Sequence, residues 1–394
     1  MCHYAYALFI SIWAINYSKR GRQLFKKKIF IHAYLFSNLG DDLFVRELCL
    51  RYPKVQFLVV ATAVYKKTFE GIHNLKILSC DSYKAKKIDE KYKKEGIDQG
   101  YKFYLASKAD AVVHIGGSAF VQHKEDYCPF YEFDANLVRF SKRLYQIGAN
   151  FGPYKDNAYY QSYHELFGNY QSISFRDKAS YELFQDIEQA SYAPDVLFGM
   201  KVNKQKKKKQ EAVLSVIDME NRLGMYPLAQ YEDAYLRWNL LAIRWLLERG
   251  YKVKLLSFCS CEYDPVMINK IMTELTKEEQ DKVSTHFYEQ NIEEMLTLFE
   301  EAKICIGTRF HSVVLGLVCR CKVLPVIYSV KTNELLKDLH IEEKVELSDL
   351  HKETMQSFAT RMQNLKEVDH LAQIEEKAKE QFKGLDQYLY KKGA

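Results

Sequence analysis

The chain has 394 residues, more than a single hydrophobic core usually serves, so two domains are the default expectation. Hydrophobic residues make up 47% and charged residues 27%, the profile of an ordinary soluble globular protein. The net charge of +6 suits anionic substrates or an anionic membrane surface; with no nucleic-acid motif and no basic–aromatic strand pattern, no nucleic-acid partner is expected.

Residues 1–27 read as an N-terminal extension. Ala5 to Tyr17 is mostly apolar, but the positive charges (Lys19, Arg20, Arg22, then Lys26 to Lys28) follow it. A secretory signal would carry them before its apolar run and end in small residues. The run is also too short to span a bilayer comfortably. It either lies on a membrane surface or is a disordered extension upstream of the first domain, and the second reading is preferred. No other window reads as transmembrane.

Lys28 to Phe36 then predicts a strand, Ser37-Asn-Leu-Gly-Asp-Asp42 a turn, and Leu43 to Leu50 a helix from its apolar spacing. Val55 to Ala61, Leu75 to Leu78, Ala111 to Ile115, Leu144 to Ala149 and Ser172 to Phe175 are short apolar runs separated by helical stretches. That alternation predicts a parallel, doubly wound sheet over residues 28–203. Lys204 to Gln210 is a basic run that reads as a solvated inter-domain linker. The alternation restarts over 211–348, with strands at Ala212 to Ile217, Lys252 to Ser257, Lys303 to Ile306 and Val323 to Ile327. Tyr231 to Arg249 and Ile292 to Glu301 are its clearest helices. Residues 349–394 are charged and helical and are expected to pack back on the body. The fold class is therefore α/β: two Rossmann-like halves facing a cleft, with C-terminal helices.

Nine cysteines, odd in number and scattered, argue against a disulfide framework and for a reducing compartment. The pairs Cys259/Cys261 and Cys319/Cys321 lack the C-x-x-C spacing common at structural zinc and are read as core thiols. No cluster of the D-x-D or H-x-x-E type is present, so no metal is expected.

The most informative stretch is Ile304-Cys-Ile-Gly-Thr-Arg-Phe-His311. It reads as a buried strand, a tight turn, and a helix that opens on Arg309 and His311. A cation and an imidazole thus sit at the carboxyl end of a strand beside a helix N-terminus, where open α/β sheets bind ligands. His32 and His114 lie inside apolar strands and are read as satisfied core histidines.

In order along the chain, several motifs resemble those of the polysaccharide pyruvyl transferases. Asn38-Leu-Gly40-Asp41 resembles the family's turn after the first strand, and His114-Ile-Gly116-Gly117-Ser118 its glycine-rich turn. Ser118 and Ala119 stand where the family often carries a third glycine and a larger apolar residue. Arg176-Asp177 with Ser180 resembles its R-[DE]-x-x-S element, and Pro194-Asp195 its P-D motif. Gly307-Thr-Arg309-Phe-His311 resembles its G-x-R-x-H signature, with Tyr328 and Lys331 following.

The resemblance runs from about Phe30 to about Leu339. It implies the fold of two-domain glycosyltransferases (glycosyltransferase-B-like) and transfer of the pyruvyl unit of phosphoenolpyruvate to two hydroxyls of a sugar, forming a cyclic ketal. The implied acceptor is a cell-surface polysaccharide or its lipid-linked precursor. The implied place is the cytoplasm, with peripheral contact to the inner face of the membrane. No cofactor is implied beyond the donor itself.

The residues suit that chemistry. A donor bearing phosphate and carboxylate needs at least two cationic contacts, and arginine binds either group through its planar fork. Arg309 and Arg176 are expected to clamp it across the cleft, and Lys331 to add charge at the phosphate. His311 is the expected general acid. Gly116, Gly117 and Ser118 would allow close backbone approach to a ligand, and Asn38 is a further expected substrate-binding residue. Asp41 either orients an acceptor hydroxyl or caps the following helix. Tyr328 is either core or site, and Asp195 either structural or functional. The alternative is a nucleotide-sugar-dependent glycosyltransferase of the same architecture, in which Glu293 or Glu294 would hold a donor ribose.

Overall fold

Runs such as Ala111-Val-Val-His-Ile115 and Leu144-Tyr-Gln-Ile-Gly-Ala149 are buried along their whole length, as strands covered by helices on both faces must be. The computed structural model describes residues 27–122, 128–221 and 227–390, and arranges the strands in two wholly parallel sheets. The first holds β1 (Lys27–His32), β2 (Val55–Ala61), β3 (Leu75–Ser79), β4 (Ala111–Ile115), β5 (Leu144–Ala149), β6 (Ser172–Phe175) and β7 (Ala190–Tyr192), in the order 3-2-1-4-5-6-7. The second holds β8 (Lys209–Ser215), β9 (Lys252–Ser257), β10 (Val283–Phe287), β11 (Ala302–Gly307), β12 (Lys322–Ile327) and β13 (Val345–Glu346), in the order 10-9-8-11-12-13. Strand order therefore reverses direction between β1 and β4, and again between β8 and β11. Those are the points where such sheets open a crevice.

β7, β10 and β13 went unread in the sequence. All three are edge strands with few buried positions, so no apolar run marks them. The first helix spans Leu39–Arg51, four residues earlier than the apolar spacing implied. Asn38 is its cap and accepts from the Gly40 amide at 3.0 Å, so capping is not the role of Asp41. Asp41 and Asp42 sit instead in the first turn, at the positive end of the helix dipole.

Lys209 and Gln210, assigned to the linker, begin β8. The rest of the basic run is anchored rather than merely solvated. Lys204 pairs with Glu375 at 2.6 Å and Lys206 with Glu300 at 3.4 Å, and Lys208 Nζ donates to the carbonyls of Phe299 and Cys319. Of the two cysteine pairs, Cys259, Cys319 and Cys321 are buried, but Cys261 is exposed.

The two halves share a core. Leu43 and Phe44 of the first belong to one apolar cluster with Phe258, Met295, Phe299 and Val313 of the second. The Leu39 amide donates to Phe258 O at 3.1 Å, and Asn38 forms a β-bridge with Cys259. The C-terminal helices divide between the halves. Helix Met355–Asn364 places Phe358 against Trp238 and Trp245 of the second. Gln381 then crosses to the first, accepting from the Gly148 amide and donating to the carbonyls of Phe175 and Ala193. Among the described residues no helix is long and apolar enough to cross a membrane. The apolar run Ala5 to Tyr17 lies outside the described residues.

Candidate active site

Every motif singled out in the sequence hangs from the carboxyl end of a strand, the Pro194-Asp195 element from that of β7. Asn38 and Asp41 follow β1, Gly116 to Ser118 follow β4, and Arg176 follows β6. From the other sheet come Arg309 and His311 after β11, and Tyr328 and Lys331 after β12. Because the halves meet through these ends, residues far apart in sequence converge.

At the centre lies Arg176, only 4% exposed. Its Nη1 donates to Asp195 Oδ2 at 3.0 Å and its Nη2 to Asn150 Oδ1 at 2.7 Å. The guanidinium stacks on Phe310 at 4.0 Å, and its buried Nε has no hydrogen-bond partner. The neighbouring motif residues build this setting. Asp177 caps the short helix Lys178–Leu183 by accepting from the Ser180 amide, and Ser180 Oγ accepts from the Phe151 amide. Gly117 leaves the room, since a Cβ there would stand 2.2 Å from Arg176 Nη1.

His311 enters from the opposite sheet. Its Nε2 lies 3.4 Å from Arg176 Nη1 and 3.8 Å from Asp195 Oδ2. The ring packs edge-on against Phe44 and Phe310. On its other side is Gly40, where a Cβ would come within 1.7 Å of Nδ1; glycine is the residue that admits the imidazole. Burial lowers the His311 pKa, opposed by Asp195 and reinforced by Arg176 and Lys331. Asp195 is wholly buried, and burial would raise its pKa, but His311 and Arg176 outweigh that and hold it low. Sequence reasoning left Asp195 undecided; the geometry makes it the anion that Arg176 and His311 share.

Arg309 is placed differently from the expectation of a free clamp. Its Nε donates to Asp264 Oδ2 at 3.1 Å, its Nη2 also meets Asp264, and its Nη1 donates to Glu262 at 2.5 Å. Asp264 is fully buried and also accepts from the amides of Phe258 and Cys259. The Arg309 amide approaches Ser215 Oγ at 3.3 Å. Both halves of the fork are thus taken by carboxylates of the same domain. Glu262 and Asp264 were missed in the sequence.

Asp41 borders this cluster. Burial pushes its carboxyl up to about 7, with Lys331 pulling it down and Glu262 pushing it up. Lys331 Nζ donates to Ser118 Oγ at 3.2 Å, and Ser118 lies 3.4 Å from Asn150 Oδ1, so the glycine-rich turn touches the first turn of the helix Val330–Asp338 that follows β12. Tyr328 is partly buried against the second core. Glu293 pairs with Arg46 at 2.7 Å, and Glu294 accepts from Asn291 at 2.9 Å, so the ribose-binding candidates are engaged elsewhere. His114 and His32 pack in the core with ring centroids 4.5 Å apart and planes tilted by 54°, yet His114 Nδ1 has no hydrogen-bond partner, and burial depresses its pKa to about 3.

Comparison with known proteins fits this geometry. The family pattern described as polysaccharide pyruvyl transferase matches residues 36–330, which takes in the motifs from Asn38 to Tyr328 and ends just short of Lys331. The amylovoran biosynthesis protein AmsJ of Erwinia amylovora is 25% identical over 260 residues, 59% of this chain and 60% of that one. The match therefore spans well under two thirds of that relative. Among solved structures, Anabaena Alr3699/HepE in complex with UDP and glucose superimposes with a TM-score of 0.54 at 10% identity, covering 93% of this chain and all of that one. A Listeria monocytogenes protein assigned as a UDP-N-acetylglucosamine 2-epimerase gives 0.59 at 9% identity, covering 93% and 97%. At such identities the likeness is one of fold, two Rossmann-like halves in a glycosyltransferase-B-like arrangement.

Proposed function

The chain belongs to the polysaccharide pyruvyl transferase family, and from that premise we propose that it moves the pyruvyl unit of phosphoenolpyruvate onto two hydroxyls of a saccharide, closing a cyclic ketal. The observation that carries the reading is the Arg176–His311 contact at 3.4 Å, a guanidinium beside an imidazole where the carboxyl ends of the two sheets meet. Arg176 and Lys331 bind the carboxylate and phosphate of the donor. His311 delivers a proton to the methylene carbon, leaving an oxocarbenium-like centre at C2. One acceptor hydroxyl adds there, inorganic phosphate departs, and the second hydroxyl closes the ring. Of the two hydroxyl protons released, one restores His311 and the other leaves with phosphate. Asp41, poised near neutrality, receives the hydroxyl proton first. Arg309 acts as a positioning residue, fixing the backbone from which His311 projects.

Protonation must be timed to binding. In the free protein burial keeps His311 neutral more readily than water would; an anionic donor beside it favours the imidazolium. The high-pH fall of kcat, which reports the complex, is therefore expected at higher pH than that of kcat/KM, which reports the free protein.

AmsJ is a protein of amylovoran biosynthesis, which supports an acceptor belonging to an exopolysaccharide or its lipid-linked precursor, met at the inner face of the membrane. Thermal shift tests the donor. Stabilisation by phosphoenolpyruvate and none by UDP- or GDP-sugars is the expected pattern; the reverse pattern would replace this reading with a glycosyltransferase.

A further inference from the structure

Between β1 and helix Leu39–Arg51 the chain runs through Ala33-Tyr-Leu-Phe-Ser37, leaving the carboxyl end of β1. Tyr34 and Phe36 stack there with ring centroids 4.6 Å apart and planes 30° apart. They are nevertheless 49% and 57% exposed. Single exposed rings are common on proteins, but two rings stacked on each other and left in water at a crevice mouth form a patch with a use.

The loop that presents them is not slack. The Ser37 amide donates to Tyr65 Oη at 2.7 Å, Cys259 Sγ approaches Phe36 O at 3.5 Å, and Asn38 bridges to Cys259. The backbone thus holds both rings outward, a pre-organised platform that loses little freedom when covered. Charges beside it define what can cover it. Glu262 and Asp41 both act on the Tyr34 phenol, adding to its burial in raising the pKa. Tyr263, half exposed, follows Glu262 on the second half's side.

Resting on the proposed ketal transfer, we infer that Tyr34 and Phe36 form the acceptor subsite, taking the apolar C–H face of a neutral pyranose ring whose hydroxyls point to Asp41 and Glu262. A pyranose offers C–H bonds to the electron-rich ring faces and hydroxyl donors to the carboxylates. An anionic lipid headgroup would meet those same carboxylates as like charge. The platform also explains how the acceptor is oriented, because a stacked sugar has only its edge hydroxyls free to reach toward His311.

Saturation-transfer NMR with methyl glycosides of galactose, glucose and mannose tests this without any turnover. At least one glycoside should receive saturation on its axial ring protons, and the Tyr34→Ala/Phe36→Ala double variant should lose it. Tyr83→Ala, which removes a more exposed ring on helix Tyr83–Lys93, should not. Transfer that survives in the double variant, or is absent from the wild type, overturns the subsite. Turnover separates the two ideas. The double variant should raise the acceptor KM by about tenfold, about 1.4 kcal/mol, with the donor KM unchanged. An unchanged acceptor KM overturns the subsite while the transfer reading stands. Ring-dependent glycoside binding by a wild-type protein that releases no phosphate from phosphoenolpyruvate upholds the subsite and removes the transfer reading.

Discussion

Arg176 and Arg309 end strands in opposite sheets, both are almost wholly buried, and from sequence both suit the same task. Their surroundings separate them. Arg309 faces two carboxylates, Asp264 and Glu262, so its cluster is formally −1 and repels an anion. Arg176 shares one carboxylate, Asp195, with His311, so its cluster is formally neutral and becomes +1 when the imidazole takes a proton. An arginine in a strand-end motif is therefore no anion site by itself; the number of carboxylates within reach decides.

Substitutions can break or sharpen that contrast. The largest effect is expected from His311→Ala, a fall in kcat of about 10²–10⁴ while phosphoenolpyruvate still raises the melting temperature. Wild-type turnover in that variant would remove the imidazole from the chemistry. Next comes Arg309→Ala, which strands a buried carboxylate and should cost about 3–5 kcal/mol in denaturant unfolding. Arg176→Lys keeps the charge but not the fork. It should weaken donor binding by about tenfold at a smaller stability cost, and if the two arginines exchanged these signatures the comparison would be inverted.

Asp41→Asn sharpens the picture through pH. The folded carboxyl titrates near 7, above its ordinary 3.8, so the folded state holds a proton that the unfolded chain has lost between those values. Ionising it in place costs folding free energy that grows as pH rises through that window and is absent below it. The variant should therefore melt higher than wild type at pH 8, match it near pH 4, and lose the rate inflection near pH 7. Equal melting at both pH values would place Asp41 in ordinary solvent. The smallest effect belongs to Glu293→Ala, which removes only the largely exposed partner of Arg46; at most about 1 kcal/mol is expected.

The strand–helix alternation was legible because central strands buried on both faces need unbroken apolar runs, as Ala111 to Ile115 shows. Edge strands such as Ala190–Tyr192 carry no such demand, and they were missed. The site was legible as motifs but not as contacts. Gly40 reads as a turn residue until His311, from the other sheet, is seen against it. Asp264 and Glu262 carry no local signal that they will claim Arg309, because that pairing is made only when β9 and β11 lie in one sheet. Asn38 was placed in the site, and its side chain turned out to be spent on the Gly40 amide.

Gln381 gives the crevice its mechanics. With one amide it ties the ends of three strands or their loops, at Gly148, Phe175 and Ala193, although it belongs to a segment that has just left the second half. Swinging the sheets apart like a book would leave that stitch with the first half, to which all three of its bonds run, but would wet the apolar seam the halves share. Substrates must therefore enter by local parting of loops and rotamers. A polypeptide trimmed to the family match at residue 330 would leave the Gly148 amide and the Ala193 carbonyl without their side-chain partner and the first sheet with no latch.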